Sequence, residues 1–90
     1  MDATTDLNAI HDASRNNRHA ILAATRCGCF SCEAMFHSWE VSDWTDRDFS
    51  AICPRCHIDS VLPDRLPSSA LNQALLRAMR VEYFEKSAAA

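Results

Sequence analysis

The chain has a single glycine and three prolines in 90 residues. That excludes collagen-like, linker-like and low-complexity chains, which need those residues in bulk. No apolar run approaches the ~20 residues of a membrane span. The opening MDATTDLN has neither a basic n-region nor an apolar h-region, so no secretory signal is expected. There is no basic excess: nine Lys and Arg stand against twelve Asp and Glu, a formal net charge of −3. There is no G-x-S-x-G, no glycine-rich phosphate loop and no acid–base pair with a clear pocket. A chain this short buries a modest share of its surface, so an internal staple is expected.

Cysteine is what the chain does have, five residues of it. Without a secretory signal the expected compartment is the cytoplasm, and no membrane partner is expected. An odd number of cysteines there points to metal rather than disulfides. Cys29-Phe-Ser-Cys32 is one C-x₂-C pair and Cys53-Pro-Arg-Cys56 is another, separated by residues 33–52. Two thiolates three residues apart on a tight turn can reach one ion, and the turn aims backbone N–H groups at the sulfurs. Two such turns face to face supply four sulfurs at ~2.3 Å from one Zn²⁺. One structural zinc on Cys29, Cys32, Cys53 and Cys56 is therefore expected. A closed four-sulfur site leaves no position for substrate, so its contribution is folding energy. A second-metal nuclease would need a His paired with an acid between the two turns. That loop offers His37, Asp43, Asp46 and Asp48, with no Asp-His pair and no Asn.

Cys27 is the third cysteine of RCGCFSC and pairs with Cys32 only through a looser x₄ gap. It is expected as the spare thiol, either inert behind the site or a redox group that displaces a ligand on oxidation. Gly28 is expected to turn the chain sharply into the knuckle. His57 follows Cys56 directly and should point away from the ion; His37 is the other weak ligand candidate. His11 and His19 are eight residues apart, not the i,i+4 spacing of a helical metal pair.

The fold class expected is a small α+β, zinc-stapled domain over residues 1–87. A zinc-ribbon or treble-clef-like centre (26–62) is flanked by an N-terminal helix (5–25) and a C-terminal helix (68–86). Thr4 or Thr5 can cap the first helix, whose apolar positions are Leu7, Ile10, Ile21 and Leu22. Pro67 with Ser68 or Ser69 starts the second, which carries Leu71, Leu75, Ala78 and Met79 and an i,i+4 pair Glu82–Lys86. Trp39, Val41 and residues 49–52 suit short strands; Ser38 to Trp44 equally suits a helical turn. The closing AAA (88–90) reads as a cloning remnant.

The entire negative excess lies in 27–56, where Glu33, Glu40, Asp43, Asp46 and Asp48 oppose Arg47 and Arg55. Zinc on four thiolates would add about −2 there. Such a segment repels a phosphate backbone. The function expected is a non-enzymatic protein–protein interaction module of adaptor, inhibitor or immunity type. Trp39, Asp43, Trp44, Asp46 and Asp48 are its candidate contacts, since acidic loops steer basic partners. A homodimer through the helices is a further option. The alternative is nucleic-acid binding along an edge of Arg15, Arg18, Arg26, Arg55, Arg77 and Arg80.

RCGCFSC (26–32), Trp44 and AICPRCHIDSV (51–61) together resemble a family of small bacterial zinc-ribbon proteins labelled only as cytoplasmic protein. That family's pattern is CGCFYC, a Trp-Asp-like stretch and LCPxCGIDSV. Its closing Met-His-x-Tyr-Trp-Phe-like run is similar to MRVEYF (79–84), and its Ser-Asn-x-Arg-x-x-Ile-Leu to SRNNRHAIL (14–22). The resemblance covers about 11–84. Ser31 stands where the family has Tyr, and His57 where it has Gly. The resemblance implies a metal-stapled cytosolic domain, supplies no activity, and counts Cys27 in the signature.

Overall fold

In the computed structural model, residues 6–67 and 69–85 are described. Thr4, Thr5, Ser68, Lys86 and the closing alanines lie outside them.

The expected helix over 5–25 is two helices. α1 (Leu7–Asp12) is capped by Asp6, whose carboxylate accepts from the N–H groups of Asn8 and Ala9. α2 spans Arg18–Ala23. The polar run between them breaks the helix because its side chains bond backbone elsewhere. The Ser14 hydroxyl donates to the His11 carbonyl at 2.6 Å. Asn16 takes a left-handed φ of 48°. The buried Asn17 amide donates to the Ala13 and Val61 carbonyls and its oxygen accepts from the Ala51 N–H. A single side chain thus ties the break to two strands.

The centre is a three-stranded antiparallel sheet in the order β2 (Met35–His37), β1 (Arg26–Cys29), β5 (Val61–Pro63). Cys27 stands opposite Phe36 and Pro63, and Cys29 opposite Val61. A 3₁₀ turn, Ser38–Glu40, follows β2, and β3 (Trp44–Thr45) pairs with β4 (Ser50–Ala51). The helical turn expected from Ser38 is present but ends at Glu40, and of the expected strands only that within 49–52 forms: Trp39 lies in the 3₁₀ turn, Val41 in no strand, and Trp44 pairs instead.

β6 (Arg65–Leu66) and β7 (Ser69–Ala70) form a small hairpin where a helix start was expected. α3 is Gln73–Arg80, capped by Asn72, whose side-chain oxygen accepts from the Leu75 N–H at 2.8 Å. It runs on into a wider π turn, Val81–Glu85.

Alternation along β1 divides the core. Cys27 and Cys29 pack with Ile21, Phe36, Ala51, Cys53 and Val61 on one side. Phe30 packs with Ile10, Leu62, Leu75, Leu76 and Met79 on the other. α2 therefore covers the metal side, and α1 and α3 the opposite side. Gly28 is a strand residue without positive φ, so it does not make the turn into the knuckle. Its role is clearance: a Cβ there would lie 3.0 Å from Leu76 Cδ1 and 3.1 Å from Leu71 Cδ1. No helix among the described residues is long and apolar enough to cross a membrane.

Candidate metal centre

The two C-x₂-C segments fold as two copies of one turn. In the first, the Cys29 N–H donates to the Ala34 carbonyl at 2.9 Å; in the second, Cys53 does the same to Ile58 at 2.9 Å. The Ser31 N–H points at Cys29 Sγ and the Arg55 N–H at Cys53 Sγ, both at 3.3 Å. The residue after the second cysteine is left-handed in each: Glu33 with φ 63° and His57 with φ 65°. A non-glycine residue there costs about 1–2 kcal/mol, so the same strain is held at both turns.

The sulfurs of Cys29, Cys32, Cys53 and Cys56 all lie within 4.8 Å of one another, an arrangement that could hold a metal ion. Cys29 and Cys56 are 3.6 Å apart and Cys32 and Cys53 3.8 Å. A tetrahedron with metal–sulfur distances of ~2.3 Å has edges of about 3.8 Å. The donor set therefore fits a single tetrahedral ion. An iron–sulfur cluster inserts several irons and sulfides between its cysteines and would hold them farther apart.

The site is asymmetric. Cys29 and Cys53 have no exposed surface, Cys56 is half-buried and Cys32 is exposed. Burial pushes the Cys29 thiol up, against hydrogen bonds from Ser60 and the turn N–H groups; burial also raises Cys53. Burial raises Cys56 too, but the Ile58 N–H and the neighbouring sulfurs outweigh it and bring the thiol below its ordinary value. Inner thiols that resist ionisation in the apo chain need a cation beside them to become thiolates. The Ser60 hydroxyl lies 3.0 Å from Cys29 Sγ in the buried layer. Sequence spacing gave no pointer to Ser60, because its reach depends on β5 pairing with β1.

Cys27 lies outside this cluster, wholly buried in the core behind it. Burial, and secondarily the charge of Asp64, push its thiol up to about 12. A thiol so placed stays neutral and shielded at neutral pH. His57 and His37 are exposed and outside the cluster too. His37 stacks on Trp39, centroids 5.6 Å apart and planes at 8°.

The candidate contact residues separate. Trp39 is 79 % exposed, and Asp43, Asp46 and Asp48 are exposed. Trp44 is half-buried on the metal-side core with the Arg18 guanidinium 4.8 Å from its ring centroid. Asp46, Arg47 and Asp48 are all left-handed (φ 53°, 61° and 70°). The loop is held by the Ser50 hydroxyl donating to Asp46 and by Arg18 donating to the Asp48 carbonyl.

Most of the candidate arginines meet carboxylates. Arg15 pairs with Asp12, and Arg55 with Glu40. Arg77 and Arg80 both pair with Glu33 and Glu85, and Arg80 also donates to the Ser31 carbonyl. α3 is thereby clamped onto the first knuckle. Arg26 is exposed at the start of β1. Comparison with family models, with curated proteins and with solved structures returned no significant match.

Proposed function

We propose that the chain is a non-enzymatic interaction module whose fold is stapled by one structural Zn²⁺ on Cys29, Cys32, Cys53 and Cys56. The observation that carries the zinc is the gathering of four sulfurs from two duplicate turns within 4.8 Å of one another, two of the pairs at 3.6 and 3.8 Å. Four protein sulfurs close the shell, so the ion supplies folding energy and not a reaction centre. The zinc-ribbon reading, and kinship with the small bacterial family, rest on the same residues: CGCFSC and CPRCHIDSV build the knuckles. Five unpaired cysteines suit a reducing, cytoplasmic setting.

The contact surface is Trp39 with the acidic loop of Asp43, Asp46 and Asp48. An exposed Trp braced flat against His37 is an anchor ready for a pocket on a partner, and the exposed aspartates of the following loop favour a basic one. Nucleic-acid binding would compete with the ion pairs that Arg55, Arg77 and Arg80 make to carboxylates. α1 and α3 turn their apolar residues into the chain's own core, whereas Leu22 on α2 is 62 % exposed and is the apolar helix residue a homodimer would use.

The test is affinity capture from nuclease-treated lysate followed by native mass spectrometry, with wild type and Trp39→Ala side by side. One zinc per chain in both, and a companion protein lost only from the variant, is the expected result. A zinc-free folded chain would refute the staple. A companion retained equally by Trp39→Ala would refute the surface.

A further inference from the structure

A cleft of about 410 Å³ opens where α1, the π turn after α3 and the segment after the second knuckle meet; His11, Arg15, Phe30, Asp59, Tyr83 and Phe84 are among its lining. Its volume is at the small end of the ~300–1,000 Å³ typical of small-molecule sites, which suits a guest with one ring. Its walls are aromatic and mutually braced. The His11 and Tyr83 rings stack at 4.1 Å, and Phe30 lies 5.7 Å from Phe84 and 6.1 Å from Tyr83. The Tyr83 hydroxyl donates to the Asn8 side-chain oxygen at 2.6 Å, which fixes the ring.

Two opposite charges stand at the same cleft. Arg15 is held only by an exposed i,i+3 pair with Asp12 at 3.4 Å, the weakest kind of ion pair. Asp59 is exposed and has no ion pair among the described residues. An aromatic anion would satisfy Arg15 and be repelled by Asp59; an aromatic amine would do the reverse. A guest carrying both charges beside one ring matches all three features.

We propose that this cleft binds a free aromatic amino acid, with its ring among Phe30, Tyr83 and Phe84, its α-carboxylate on Arg15 and its α-ammonium on Asp59. Neither Trp39 nor any of the four clustered cysteines lines the cleft, and its nearest link to the cluster is Ser60, a lining residue whose hydroxyl lies 3.0 Å from Cys29 Sγ. Binding is weak, on the order of millimolar, because a dozen heavy atoms and two solvent-exposed charge pairs supply it.

The test is a nitrogen–proton NMR titration of the zinc-loaded chain with L-phenylalanine, 3-phenylpropionate and phenethylamine. Saturable shifts at His11, Phe30, Asp59, Tyr83 and Phe84 are expected with L-phenylalanine, and each analogue, lacking one charge, should bind about fivefold more weakly. Asp59→Asn should erase the advantage of L-phenylalanine over 3-phenylpropionate, and Arg15→Gln its advantage over phenethylamine. Both side chains are exposed, and native mass spectrometry showing one zinc in each variant separates lost binding from lost fold. No saturable shift at these residues, or equal affinity for the three compounds, would overturn the proposal.

Discussion

The two sides of β1 are filled by different chemistry. Toward α1 and α3 the buried residues are large: Ile10, Phe30, Leu62, Leu75, Leu76 and Met79. Toward the knuckles, three of the seven buried residues are cysteines, with Ile21, Phe36, Ala51 and Val61 around them. The first side can be held by apolar burial, at about 25 cal/mol per Å² removed from water. The second has less apolar surface to bury and four thiols crowded together, two of them pushed up by burial. An ion that binds them as thiolates converts the weaker half of the core into the more tightly bound one. Small domains generally need such a staple, and here the residues that could hold one lie on one face of one sheet.

The largest effect follows from removing the ion. Chelation, or Cys29→Ser, should forfeit on the order of 10 kcal/mol of metal-linked folding energy. Amide protection should collapse first over 26–37 and 50–62, read by hydrogen exchange. Protection that survived intact in the chelated protein would erase the contrast between the faces. Leu76→Ala, on the other face, should cost about 2–5 kcal/mol by leaving a cavity, measured as a lower Tm, while zinc stoichiometry stays at one. A variant that also shed its metal would show that the two faces cannot be separated.

A finer contrast lies between the two knuckles. Glu33 and His57 hold the same left-handed position, but Glu33 also meets Arg77 and Arg80 whereas His57 is exposed. His57→Gly relieves about 1–2 kcal/mol of strain against ~0.4–1 kcal/mol of added chain entropy, a net gain of up to about 1.6 kcal/mol. Glu33→Gly loses its ion pairs as well and should gain less. Equal shifts in denaturation midpoint would mean that the Arg77–Arg80 clamp contributes nothing.

The smallest expected effect concerns Glu40. The His37 N–H, then the Arg55 guanidinium, hold its carboxyl below the usual carboxylate range, with desolvation opposing them. A lowered folded-state pKa means a contribution present above the unfolded value of 4.5 and lost as pH falls through the folded value. Glu40→Gln should flatten the stability profile in that acidic window and leave it unchanged near neutrality. A profile identical to wild type below pH 4.5 would discard the idea.

Cysteine spacing alone singled out the four residues that the structure brings together, since a C-x₂-C turn is a local device whose geometry its own backbone settles. It also set Cys27 apart, as a residue with the wrong gap. The same local reasoning failed over 13–17, where Asn17 exchanges helix bonds for partners at Ala51 and Val61 that lie far along the chain. It failed at Gly28, whose close neighbours are Leu71 and Leu76, and at the start of α3, where Asn72 rather than Ser69 is the cap. The partners of the candidate arginines were also out of reach of the sequence, which shows charges but not their pairs; Glu33 and Glu85 reach Arg77 and Arg80 only once α3 lies on the first knuckle. The sequence by itself determined which four cysteines form the cluster, the acidic centre and the α+β composition, all of which depend on neighbours a few residues away. The tertiary structure alone decided which sulfurs face solvent, which face of β1 carries the cysteine cluster and which charges stand at the aromatic cleft, because each of those is fixed by long-range packing.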